Sequence, residues 1–165
     1  GGGGPTKGSG PIKDLLSVWE DHRDELDPVI AAVLRDRVAG LWARAEALRL
    51  TNWRAREVSR DGNPGPEGSV GKLMSAEMNQ HIYETCMDIL GAGGLLYEAG
   101  YDRKRSDGLR GPGAHPRYAF LRSRANTIEG GTSEVMRNIL GERVLGLPGD
   151  VRVDKDIPWA DVPRN

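Results

Sequence analysis

From Pro28 to about Ser59 the apolar residues Ile30, Val33, Leu34, Val38, Leu41, Ala45 and Leu48 recur at spacings of three and four. That period is one face of an α-helix, and it rules out a strand. Roughly 30 residues at 1.5 Å each make a rod of about 45 Å. In a chain of 165 residues such a rod cannot bury its stripe alone, so other helices must lie along it, and a helical bundle follows. Asp27 and Pro28 mark its start. An aspartate caps free amides of a first turn, and a proline is tolerated at the first helical position.

The rest of the chain supplies partners for the rod. Ile12, Leu15, Leu16 and Trp19 share a face of a short helix starting at Pro11. Residues 60–68 (RDGNPGPEG) are a turn by composition. Ser69 is expected to cap a second long helix with the stripe Val70, Leu73, Met74, Met78, Ile82, Cys86, Ile89 and Leu90, and Gly91 ends it. Tyr118, Phe120 and Leu121 predict a short helix. Val135, Met136, Ile139, Leu140 and Val144 predict another, stopped by Gly146 and Pro148. No alternation long enough to build a sheet occurs, so the fold class is all-α with four to five helices. Residues 1–10 (GGGGPTKGSG) are a glycine-rich linker or loop. Residues 11–148 are the bundle domain. Residues 149–165 are a C-terminal tail in which Trp159 is a candidate anchor.

Composition narrows the function classes. With 23 Lys+Arg against 24 Asp+Glu the formal net charge is −1, which argues against nucleic-acid binding by the whole surface. There is no run of about 18 apolar residues to span a membrane, and a cytoplasmic location is the default. The single cysteine, Cys86, excludes an internal disulfide and a cysteine-rich metal site. Its place in the helical stripe predicts a buried, inert thiol. No two of the three histidines have ligand spacing, so no metal site is expected.

Three segments remain that structure alone does not demand. Residues 91–94 (GAGG) place three glycines where one would cap a helix; they read as a helix stop or as backbone that comes close to a ligand or another chain. Residues 101–125 hold seven basic residues (Arg103, Lys104, Arg105, Arg110, Arg117, Arg122 and Arg124) against Asp102 and Asp107. This is a solvated loop or a landing surface for an anionic ligand. Residues 127–134 (TIEGGTSE) form a glycine loop entering a helix N-terminus, with Thr132 as cap and Glu134 in the first turn.

The stretch from Arg122 to Pro148, RSRANTIEGGTSEVMRNILGERVLGLP, closely resembles the C-terminal signature of the acyl-CoA dehydrogenase family. That family carries a [GE]-G-T-[SNA]-[EQ]-[IV]-x-R pattern, met here by Gly130, Gly131, Thr132, Ser133, Glu134, Val135 and Arg137. SVGKL from Ser69 to Leu73 resembles the start of the family's penultimate long helix. ILGAGG from Ile89 to Gly94 resembles the glycine turn at that helix's end. The resemblance covers residues 27–148. It implies most of a C-terminal four-helix bundle, without its first long helix, the N-terminal helical domain and the middle β-domain. It implies FAD as cofactor and desaturation of an acyl-CoA thioester between Cα and Cβ. An electron-transfer flavoprotein is implied as acceptor, and dimers or tetramers form through the bundle. The implied cofactor-binding residues are Gly131, Thr132, Ser133 and Glu134, with Gly91, Gly93 and Gly94 meeting the FAD of a neighbouring subunit. The N–H groups that open the last helix form a site for a pyrophosphate or ribose-bound group.

The catalytic base stays open. In many family members a glutamate stands two residues before the motif's threonine, a slot held here by Gly130. Glu129 is one residue away and is the candidate within this chain; in other members the base lies on the first long helix of the bundle. A raised Glu129 pKa would favour the former. Two alternatives stand beside the enzyme: a non-catalytic scaffold subunit of a dehydrogenase-like assembly, favoured by Gly130 in the base slot, and an unrelated helical module whose basic segment recruits an anionic partner.

Overall fold

The structure is a computed structural model and describes residues 6–59, 67–96, 115–149 and 157–162. Among these described residues five α-helices follow in order: α1 (Pro11–His22), α2 (Pro28–Ser59), α3 (Glu67–Leu90), α4 (Pro116–Ser123) and α5 (Ser133–Arg143). Short 3₁₀ turns extend three of them, at Arg23–Glu25, Gly91–Leu95 and Arg124–Thr127. No strand occurs among the described residues, as the helical periodicity requires.

The 32 residues of α2 make a rod of about 48 Å. Asp27 caps it as expected, its carboxylate accepting from the N–H groups of Val29 at 2.9 Å and Ile30 at 3.3 Å. α3 runs antiparallel to it. Arg37 of α2 pairs with Asp88 near the end of α3, and Asn52 meets Gly71 near its start, where a Cβ would stand 2.8 Å from the Asn52 amide oxygen. α3 is the central element, packed against α1, α2, α4 and α5. Its Ile82 and Cys86 are fully buried with Leu15 of α1, and Leu34, Val38, Leu41 and Leu48 of α2 close the layer. Each large aliphatic side chain so buried adds about 1.5–3 kcal/mol. Tyr83 ties α1 to α3 by donating its hydroxyl to Asp14 at 2.9 Å. Burial first, and this bond second, push the Tyr83 pKa up.

Four expectations change. Ser69 does not cap α3, which begins two residues earlier at Glu67. Ile30 and Val33 carry the α2 stripe in sequence but are 53% and 57% exposed. They lie on a side of α2 different from that of Leu34 and Val38, which are buried at the same height. Val135 and Val144, assigned to the α5 stripe, are exposed, and Met136 is the buried member. Leu121 on α4 is exposed, while Ala119 and Ser123 face the core. Of the turn expected at residues 60–68, residues 60–66 lie outside the described residues and 67–68 belong to α3; residues 1–5, 97–114, 150–156 and 163–165 also lie outside them, as does the Trp159 side chain.

Candidate functional site

α3 carries a candidate segment at each end. The loop at residues 128–132 and the N-terminus of α5 sit beside Lys72, in the first turns of α3. The glycine turn Gly91–Leu95 closes its far end. From Lys72 to Gly91 the helix axis covers about 28 Å at 1.5 Å per residue. One chain therefore does not bring the two groups of glycines together.

The loop is built from the α3 side. Lys72, Asn79 and Gln80 stand seven and eight positions apart, so they share one helical face. The Lys72 ammonium donates to the carbonyl oxygens of Asn126, at 3.0 Å, and Gly131. Asn79 reaches Asn126 at 3.5 Å, and Gln80 donates to the Thr127 hydroxyl at 2.9 Å. Gly130 and Gly131 then turn the chain through φ values of +66° and +102°, conformations that glycine alone adopts without strain. At Gly131 a Cβ would stand 2.5 Å from the Met136 methyl. Arg137, one turn into α5, pairs with Glu77 of α3 and fixes the helix's direction.

Thr132 is the N-cap of α5, its hydroxyl accepting from Val135 N–H at 3.2 Å. The Glu134 pKa is lowered, chiefly by a bond to its own N–H and then by the Thr132 hydroxyl. A carboxylate therefore already sits on the helix end. An incoming group meets acceptors as well as N–H donors, which suits a sugar hydroxyl better than a bare phosphate. Ser133 is 6% exposed, and its Oγ finds no hydrogen-bond partner among the described residues. A buried hydroxyl left unpaired costs free energy, so this atom fits a ligand group at the α5 N-terminus.

Glu129 is exposed. Arg122 Nη2 donates to both its carboxylate oxygens, at 2.8 and 2.9 Å, and Asn126 adds a bond of 2.9 Å. The Arg122 bond holds its pKa below the ordinary value, the direction opposite to the raised pKa that would mark a base. At the far end, Arg117 donates to Gly93 O at 3.2 and 2.8 Å. An apolar groove of about 710 Å³ opens there between Gly91, Gly94, Leu95, Leu96, Tyr118 and Phe120.

The basic segment resolves differently. Arg103, Lys104, Arg105 and Arg110 lie outside the described residues. Arg117, Arg122 and Arg124 are each engaged within the chain, with Gly93, Glu129 and Glu84. Cys86 is buried as expected, and burial pushes its thiol pKa up to about 12. No group of residues able to hold a metal ion occurs among the described residues. Lys72 and Gln80 escaped the sequence reading. Their spacing was visible, but their partners are mostly main-chain atoms of a loop far along the chain.

Comparison with known proteins agrees with this architecture. Residues 21–145 match the family described as acyl-CoA dehydrogenase, C-terminal domain. The chain is 34% identical over 127 residues to the acyl-CoA dehydrogenase IpdE1 of Mycolicibacterium smegmatis, covering 76% of this chain and 27% of that protein. It is 32% identical over 139 residues to the acyl-CoA dehydrogenase FadE34 of Mycobacterium tuberculosis, covering 84% of this chain and 16% of that protein. The chain thus spans about a quarter or less of these relatives' length. Two solved structures share the fold. The ChsE4–ChsE5 complex from Mycobacterium tuberculosis matches with a TM-score of 0.64 at 28% identity, over 85% of this chain and 36% of that one. The Tcur3481–Tcur3483 steroid ACAD matches with a TM-score of 0.62 at 25% identity, over 84% of this chain and 34% of that one. The chain belongs to the acyl-CoA dehydrogenase family and has the fold of its C-terminal helical domain.

Proposed function

We propose that this member of the family is the C-terminal helical part of an FAD-dependent acyl-CoA dehydrogenase that introduces a double bond between Cα and Cβ of an acyl-CoA thioester. The observation that carries the proposal is the loop at residues 130–134, where two positive-φ glycines lead into a helix N-terminus beside the unpaired, buried Ser133 hydroxyl. Those residues fit FAD. Thr132 N–H, Ser133 N–H and the Ser133 hydroxyl would hold a ribose-linked part of it, with Glu134 accepting from a sugar hydroxyl. When bound, the flavin supplies a hydride acceptor for the β-position while a carboxylate takes the α-proton. Gly91, Gly93 and Gly94 lie too far along α3 to serve the same cofactor. They are assigned to the FAD of a neighbouring subunit in a dimer or tetramer. The likeness to proteins solved as a complex and as a steroid ACAD supports a two-chain assembly and a bulky, steroid-type acyl group. An electron-transfer flavoprotein is the proposed acceptor.

The base is assigned to a part of the assembly outside this chain. Glu129 is held in an exposed ion pair with Arg122, and a base for carbon acids needs an elevated pKa in a water-poor site. A second reading, a non-catalytic partner subunit, is favoured by the same pair and by Gly130 in the base slot. The test is an anaerobic visible spectrum of the full gene product with any co-purifying subunit, titrated with acyl-CoA thioesters including steroid-type ones. Bleaching of a flavin band, retained in Glu129→Gln, supports the proposal. Loss of bleaching in that variant by about 10²-fold or more returns the base to Glu129. A protein that stays colourless with added FAD leaves the partner-subunit reading.

A further inference from the structure

Lys72 is a partly buried ammonium whose hydrogen-bond acceptors among the described residues are both main-chain carbonyls, Asn126 and Gly131. It stands on the rigid central helix and reaches across to the most conformationally free point of the loop. Gly130 and Gly131 have φ values of +66° and +102°, so backbone preference alone sets little of the path by which the loop reaches Thr132. The Gly131–Thr132 peptide is trans, which sets its C=O and N–H on opposite sides. Drawing the Gly131 carbonyl toward α3 therefore turns the Thr132 N–H away from α3, next to the free N–H of Ser133 at the start of α5. A full flip of that peptide is closed to Thr132, whose φ of −69° would become positive, so the Lys72 contact sets where the peptide sits against α3.

We infer that Lys72 is a positioning residue, which anchors the Gly131–Thr132 peptide against α3 and so holds the donors of the α5 N-terminus in place for their ligand. The anchoring is independent of what binds; that the ligand is FAD rests on the function proposed above. Neighbouring ties do not substitute for it. Asn79 and Gln80 hold the loop at Asn126 and Thr127, before the glycines, and the Arg137–Glu77 pair acts after them. Lys72 alone among these side chains grips the peptide at Gly131. At the opposite end of α3 a second cation, Arg117, grips the Gly93 carbonyl, so each glycine turn has one of its carbonyls fixed by a basic side chain.

The test uses the full gene product with its co-purifying subunit, as parent, Lys72→Met and Lys72→Arg. Two quantities are read: the FAD dissociation constant of the apoprotein, by flavin fluorescence, and amide hydrogen exchange across residues 126–136. Lys72→Met is expected to weaken FAD binding about tenfold or more, the scale of one charge-assisted hydrogen bond. It should also speed exchange in that segment while exchange in α1 and the middle of α2 stays unchanged. Lys72→Arg, whose guanidinium can reach both carbonyls, is expected to stay within about threefold of the parent on the same scale. Parent-like exchange and affinity in Lys72→Met, or Lys72→Arg as impaired as Lys72→Met, overturns the inference. If Lys72→Met fails to fold, Lys72→Gln makes the same comparison. A parent that binds no FAD overturns the proposed function instead, and the exchange comparison still decides the role of Lys72.

Discussion

Replacing Thr132 by valine tests whether its hydroxyl is the cap of α5 or a contact for the ligand. Valine keeps the shape and branching and removes the acceptor for Val135 N–H, which lies at 3.2 Å. Loss of an N-cap side chain costs about 0.5–2 kcal/mol. Val135 is 46% exposed, so water reaches the freed N–H, and the loss belongs in the lower half of that range, about 0.5–1 kcal/mol. For a chain of this size each kcal/mol is worth about 2–4 °C of melting temperature. The Thr132→Val chain, melted without flavin and followed by helical circular dichroism, should thus lose about 1–4 °C. Thr132→Ser, which keeps the hydroxyl, should melt within about 1 °C of the parent by the same scale. A valine variant that melts with the parent when flavin-free, or a serine variant that falls as far as valine, would show that the hydroxyl is not the cap. A deficit seen only with flavin bound would make it a ligand contact.

Other expectations follow from the same geometry. Ile82→Ala removes a fully buried side chain from the centre of α3 and should cost about 2–5 kcal/mol in chemical denaturation, against under about 0.5 kcal/mol for the exposed Leu121→Gln. Cys86, buried with its pKa pushed up to about 12, should react with a thiol reagent only as fast as the protein unfolds; rapid modification of the native chain would contradict the packing around it. Burial pushes the Glu84 carboxyl up, but hydrogen bonds from Arg124 and His81 outweigh it and hold the pKa below the ordinary 4.5. The folded-state pKa is depressed, so this stabilisation is present above pH 4.5 and is lost as pH falls through the folded value. Melting temperature should decline on acidification from there, and Glu84→Gln should decline less steeply.

What could be read from sequence here follows from what kind of contact each residue makes. The helices are legible because their signals are local. Asp27 and Pro28 start α2 by bonding within one turn, Gly91 ends α3 with a φ of +53°, and Thr132 caps α5 from three residues away. The family motif is legible for the same reason, being a continuous run of residues. Burial is less so. A stripe states which residues of α2 are apolar, but not that Leu34 and Val38 are covered while Ile30 and Val33 beside them are not. The loop is legible only as glycines and a cap. Its posture is set by Lys72, nearly 60 positions upstream in the chain, acting on a carbonyl group that every residue possesses. No side-chain pattern can name such a partner. The case of Glu129 is sharper. Its position beside the motif made it a candidate base, yet Arg122, seven residues before it, has its carboxylate already committed. Distance along the chain could not distinguish a free carboxylate from a paired one, and that difference in pairing decides which chemistry the residue can perform.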